Sequence, residues 1–163
     1  MPYPAPVYNE DMKLPRSAAL AALAAFTLLP AVARATTLAE WKAKLPPSTY
    51  TVMFEEGTEA PFSSPLDKET AAGTYGCAAC DLALYSSKTK YDSGTGWPSF
   101  WRPLPGAILT KIDTSIPLEA RTEVHCKRCS GHLGHVFNDG PAPTGLRYCM
   151  NGVALRFHPG TAS

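Results

Sequence analysis

The sequence predicts a small, loop-rich, mainly β domain, and three observations carry that reading. The chain has 163 residues, room for one hydrophobic core once a removable leader is set aside. Sixteen prolines and twelve glycines are scattered along it, the punctuation of many turns joining short strands. A strand, a Cys-x-x-Cys turn and a second strand occur twice, whereas helical spacing is confined to one short stretch.

The elements follow in order. Lys13 and Arg16 precede the apolar run "SAALAALAAFTLLPAVA" and the small-residue site Ala33-Arg34-Ala35, the three-part layout of a secretory signal peptide. Cleavage is expected after Ala35, with residues 1–35 removed and Met12 as an alternative translation start. The run is shorter than the roughly 20 residues that span a bilayer, and Pro30 interrupts it. The expectation is therefore export, to a bacterial periplasm, without stable membrane insertion; the alternative is an uncleaved anchor. Residues 36–58 form an N-terminal arm in which a threonine caps Leu38, Trp41 and Leu45, a short amphipathic helix stopped by Pro46-Pro47. "APFSSPLD" is irregular. "GTYGCAACDLALYSS" reads as two strands around Cys77–Cys80, and "TEVHCKRCSGHLGHVF" as two more around Cys126–Cys129, with a turn at Gly131. The remainder, 59–163, holds no linker and is read as one domain.

Fifteen Lys plus Arg against fourteen Asp plus Glu leave no basic field, which argues against non-specific binding to nucleic acid or an anionic membrane. Four cysteines lie in the two Cys-x-x-Cys turns, which suit one tetrahedral zinc ion because each turn brings two sulfurs to one side of the backbone. Two disulfides are the alternative in an exported chain. A thioredoxin-type pair lacks its βαβ context. A small domain rich in turns needs a staple, and zinc supplies one by coupling metal binding to folding.

Cys149, in "GLRYCMN", is then left as a free thiol. On a strand, Arg147, Cys149 and Asn151 share one face while Tyr148 and Met150 face the other. The thiolate is the reactive form, and cationic or hydrogen-bonding neighbours favour it. His132 and His135, each following a glycine, are candidates for that role. They are also readable as ordinary histidines satisfied by backbone, or, with Cys149, as a catalytic metal site. In "SGTGWPSFW", Gly94, Gly96 and Pro98 shape a tight loop that presents Trp97, suited to core packing or to a thioether-like ligand.

From Glu59-Ala60-Pro61-Phe62 to Arg156-Phe157 the chain resembles the B-type methionine sulfoxide reductases. "GTYGCAACDLALY", "KYDSGTGWPSF", "RTEVHCKRCSGHLGHVFNDGP" and "PTGLRYCMN" occur in that family's order and spacing. The resemblance implies a small sandwich or barrel of two antiparallel sheets, with the zinc knuckles on the far side from the active site. It implies Cys149 as nucleophile, one structural Zn2+ per chain on Cys77, Cys80, Cys126 and Cys129, and His132, His135 and Asn151 around the sulfoxide. Trp97 would receive the substrate's S-methyl group, with Phe137 and Arg147 also at the substrate. The partners implied are methionine R-sulfoxide, chiefly in proteins or peptides, and an external thioredoxin-like reductant; the chain itself is expected to be a monomer. One position departs: many members carry a resolving cysteine where this chain has Thr95, so a one-cysteine cycle is expected, with the Cys149 sulfenic acid reduced directly by an external thiol. The alternative function is a zinc-stapled module that binds oxidised peptides without turnover.

Overall fold

The computed structural model describes residues 35–116 and 119–160. The leader expected over residues 1–35 therefore lies, but for its last residue, outside the described residues.

The domain is mainly β, as expected, with both sheets antiparallel. Strands β1 (Gly73–Cys77) and β2 (Ala83–Ser86) join β9 (Leu155–Pro159) in a three-stranded sheet of order β2-β1-β9. The larger sheet contains β3 (Lys90–Tyr91), β4 (Ser99–Phe100), β5 (Ile108–Ile116), β6 (Glu119–Cys126), β7 (His132–Phe137) and β8 (Arg147–Met150). Its order is β3-β4-β8-β7-β6-β5. Aromatic side chains fasten one sheet to the other. Tyr85 of the small sheet stacks on Phe100 of the large one at 4.3 Å between ring centroids, and Tyr75 meets the same ring edge-on at 5.0 Å. All three are fully buried together with Leu84, Val124, Leu133 and Met150, each contributing on the order of 2 kcal/mol by leaving water.

The N-terminal arm holds two helices where the sequence suggested one. The first, α1 (Leu38–Lys44), begins with a capping box in which Thr37 and Glu40 satisfy each other's backbone N–H groups. It ends before Pro46, as its spacing predicts, and buries none of its residues. The second, α2 (Pro47–Phe54), starts on the proline read only as a stop. Proline is compatible with a first helical turn because its missing N–H has no intrahelical acceptor there. This helix buries Thr49, Tyr50, Val52 and Met53, and its Phe54 stacks on Trp41 of α1 at 5.7 Å.

The two Cys-x-x-Cys turns are built alike. Asp81 donates its N–H to the carbonyl of Cys77 and Ser130 to that of Cys126, both at 2.9 Å. The residue after each second cysteine is left-handed, with φ 59° at Asp81 and 58° at Ser130. In the second knuckle the turning residue is thus Ser130, one before the glycine suggested by sequence; short polar residues tolerate this conformation through local hydrogen bonding.

Candidate active site

Strand β8 places Cys149 between two partners, opposite Ser99 of β4 on one side and His135 of β7 on the other. The alternation expected along β8 holds. Met150 is buried on the far face and accepts a hydrogen bond from Tyr85 Oη at 3.2 Å, whereas Cys149 and Asn151 open onto a cavity of about 130 Å³. Trp97, His135 and Phe137 line that cavity with them, as do three residues the sequence did not single out, Thr58, Arg121 and Gly134. Gly134 is there by necessity, since a Cβ at that position would overlap the carbonyl oxygen of Cys149.

The two histidines part company. A bulge inserts Leu133 between the pairs Val124↔Gly134 and His125↔His132, so residues three apart on one strand come together, with rings 5.3 Å between centroids. His135 lines the cavity and donates Nε2–H to the Asp113 carboxylate at 2.9 Å, and Arg121 holds the same oxygen at 2.6 Å. Burial, with the nearby Arg121 guanidinium, outweighs the Asp113 hydrogen bond and pushes the His135 pKa down, so its neutral form is favoured. His132 is buried outside the lining and donates Nδ1–H to Glu123 at 2.7 Å. Lys111 braces Glu123 at 2.9 Å, and although burial pushes that carboxyl up, hydrogen bonds from Lys111 and His132 hold it below its usual value.

Arg147 also stands outside the lining. Its guanidinium sits over the Phe137 ring at 4.4 Å and makes two 2.8 Å hydrogen bonds to Asp139. Burial raises the Cys149 thiol above its ordinary pKa, and contacts with Thr95, Arg147 and Ser99 only partly offset it. Cationic or hydrogen-bonding neighbours were expected to favour the thiolate; Thr95, Arg147 and Ser99 pull that way, but burial outweighs them.

Glu59, marked by the sequence only as the start of the family resemblance and given no role there, ties the cavity wall together. Its N–H donates to Asn151 Oδ1 at 3.0 Å, and its carbonyl accepts from Trp97 Nε1 at 3.3 Å. Its carboxylate accepts from the backbone N–H groups of Gly152 at 2.6 Å and Val153 at 3.0 Å. Asn151 completes the clamp by donating Nδ2–H to the Leu133 carbonyl at 3.1 Å.

The four knuckle sulfurs all lie within 4.8 Å of one another, with Cys77 and Cys129 at 3.6 Å and Cys80 and Cys126 at 3.5 Å. Tetrahedral zinc–thiolate bonds of about 2.3 Å put sulfurs about 3.8 Å apart, so the group fits one such ion. The cluster converges as four, not as two bonded pairs. No catalytic metal group forms around Cys149 among the described residues; the knuckle cysteines are the one metal-competent group there.

A SelR domain model matches residues 45–159. The chain is 54% identical over 124 residues to the peptide methionine sulfoxide reductase MsrB of Pseudomonas putida (strain W619), an alignment that covers 76% of this chain and 92% of that one. The MsrB of Leptospira interrogans is 51% identical over 118 residues, covering 72% and 90%. That of Agrobacterium fabrum is 50% identical over 122 residues, covering 74% and 90%.

Proposed function

Since this chain belongs to the SelR-domain family, the B-type methionine sulfoxide reductases, we propose that it reduces the R epimer of methionine sulfoxide within polypeptides, with Cys149 as nucleophile. The observation that carries this reading is the convergence of Cys149, His135, Asn151 and Trp97 on one small cavity. A thiol, a proton-handling ring and an aromatic wall are what a sulfoxide needs: an attacking sulfur, an acid for the oxygen and a seat for the S-methyl group.

Neutral His135, its Nε2–H committed to Asp113, has a ring nitrogen left to take the Cys149 proton. The imidazolium so formed, supported by the Asp113 carboxylate, returns that proton to the sulfoxide oxygen as the thiolate attacks sulfur. The protonated oxygen then passes to Cys149 Sγ as the substrate S–O bond and the transient Sγ–S bond break, and the products are the Cys149 sulfenic acid and the thioether. An external thiol then attacks the sulfenic sulfur and releases water, and a second thiol frees Cys149 from the mixed disulfide. A one-cysteine cycle suits the site because the side chain facing Cys149 from the loop is Thr95, and the other four cysteines are gathered in the knuckles. Cys77, Cys80, Cys126 and Cys129 would hold zinc, which would supply cohesion between the two knuckles rather than chemistry at the thiol. Export to the periplasm, with a thioredoxin-like donor there, completes the reading; cell fractionation tests it.

The test uses separate R and S sulfoxide epimers of a blocked methionine with dithiothreitol. Thioether from the R epimer alone is expected, with none from C149S. Turnover of the S epimer, or binding without thioether, would sink the proposal.

A further inference from the structure

Three hydroxyls lead from Cys149 away from the cavity lining. Thr95 Oγ1 lies 3.9 Å from Cys149 Sγ, Ser93 Oγ 2.8 Å from Thr95 Oγ1, and Ser99 Oγ 2.7 Å from Ser93 Oγ. Ser99 donates to the Trp97 carbonyl at 3.0 Å. Each hydroxyl has a single hydrogen, and that arithmetic sets the direction of the whole chain. With the Ser99 hydrogen on Trp97, the Ser93–Ser99 bond must use the Ser93 hydrogen, and the Ser93–Thr95 bond must use that of Thr95. Thr95 then has nothing left to donate and presents a lone pair to the sulfur, which suits a thiol S–H and not a thiolate.

Resting on the reading of Cys149 as the nucleophile, we infer that Ser93 is a positioning residue: by occupying the Thr95 hydrogen it keeps the substrate-free nucleophile as a thiol. A hydrogen bond from Thr95 to an ionised Cys149 costs the row one bond: either Thr95 alone turns and gives up Ser93, or all three hydroxyls turn and the Ser99–Trp97 bond is lost. The long Thr95–Cys149 contact fits a resting thiol; a hydrogen bond to a thiolate is stronger and shorter. Ser99, at the end of the row, also faces Cys149; the remaining groups that face it are the Tyr91 phenol of β3, His135 of β7 and Arg147 of β8 with Asp139 behind it, while Arg121 and Asn151 share the cavity. Ser93 Oγ also accepts from the Thr95 N–H at 3.5 Å, so a shift in S93A is assigned to the hydroxyl chain by its disappearance when the Thr95 hydroxyl is removed as well.

The measurement is the rate of iodoacetamide alkylation at Cys149 in the zinc-loaded full chain, read by mass spectrometry from about pH 6 to 10. Cutting the chain with S93A frees the Thr95 hydrogen for the thiolate, so the midpoint falls by about half a pH unit or more, a threefold or greater gain in thiolate near neutrality. T95V removes the donor, and its midpoint stays or rises. The double variant follows T95V, and S93T, which restores the hydroxyl, follows the parent. S93G serves as a second cut if S93A does not fold. An S93A midpoint at or above the parent's, or a double variant that behaves as S93A, overturns the inference. Alkylation involves no sulfoxide, so failure of the reductase reading appears in the epimer assay and leaves this measurement intact.

Discussion

Replacing Glu59 tests whether the cavity wall is held by one side chain. Its carboxylate caps the turn at Gly152 and Val153 through two backbone N–H groups, and Gly152 is buried. A hydrogen bond to a charged group contributes about 1.5–3 kcal/mol; Glu59 is only half-buried, so the lower end applies. E59A is expected to cost about 3 kcal/mol. E59Q is expected to cost about 2 kcal/mol, because its amide carbonyl serves one N–H and its NH2 opposes the other. With a urea m value of about 2 kcal/mol/M, the E59A midpoint falls by about 1.5 M at constant free zinc. The same residue anchors Asn151 and Trp97 through its backbone, so loosening the segment lowers kcat/KM for the R epimer by about tenfold, since small misplacements at a reacting centre are costly. An E59A variant within about 0.5 kcal/mol of the parent, with unchanged kcat/KM, would refute the clamp.

C149S abolishes turnover and leaves the urea midpoint in place; residual turnover would move the nucleophile elsewhere. Metal analysis of purified protein is expected to give about one zinc per chain, and C126S is expected to lose it along with roughly 3 kcal/mol or more of stability; full stability without metal would point back to disulfides. Burial depresses the His135 pKa in the folded chain, so the folded state binds fewer protons than the unfolded one below the ordinary histidine value. That contribution is present above about pH 6.5 and is lost as pH falls through the folded pKa, so H135N flattens the fall in stability on acidification; an unchanged slope would remove His135 as its source. D113N removes the hydrogen bond that favours imidazolium, so the acid limb of kcat/KM moves to lower pH; a limb that stays in place would take Asp113 out of the proton step.

The parts of this protein legible in its sequence are those governed by neighbours along the chain. A threonine caps the helix that starts at Leu38, a knuckle closes within five residues, and alternation along β8 sends Cys149 and Met150 to opposite faces; each is a local rule of backbone geometry. Residue types with few other uses, such as paired cysteines and a lone thiol beside an arginine and an amide, marked the chemistry. Tertiary structure alone decided what supports them. Arg121 and Glu123 come to the histidines from the adjacent strand β6 and Asp113 from β5 beyond it, and Glu59 reaches Asn151, Gly152 and Val153 from more than ninety positions away. The Leu133 bulge puts two histidines side by side where regular alternation would separate them. Carboxylates, serines and arginines are common on any surface, so their type carries no signal until burial and distance give each a partner. Ionisation followed the same division: sequence left one thiol at 149 outside the knuckles, and the packed sheets, by withdrawing it from water, pushed its pKa further up.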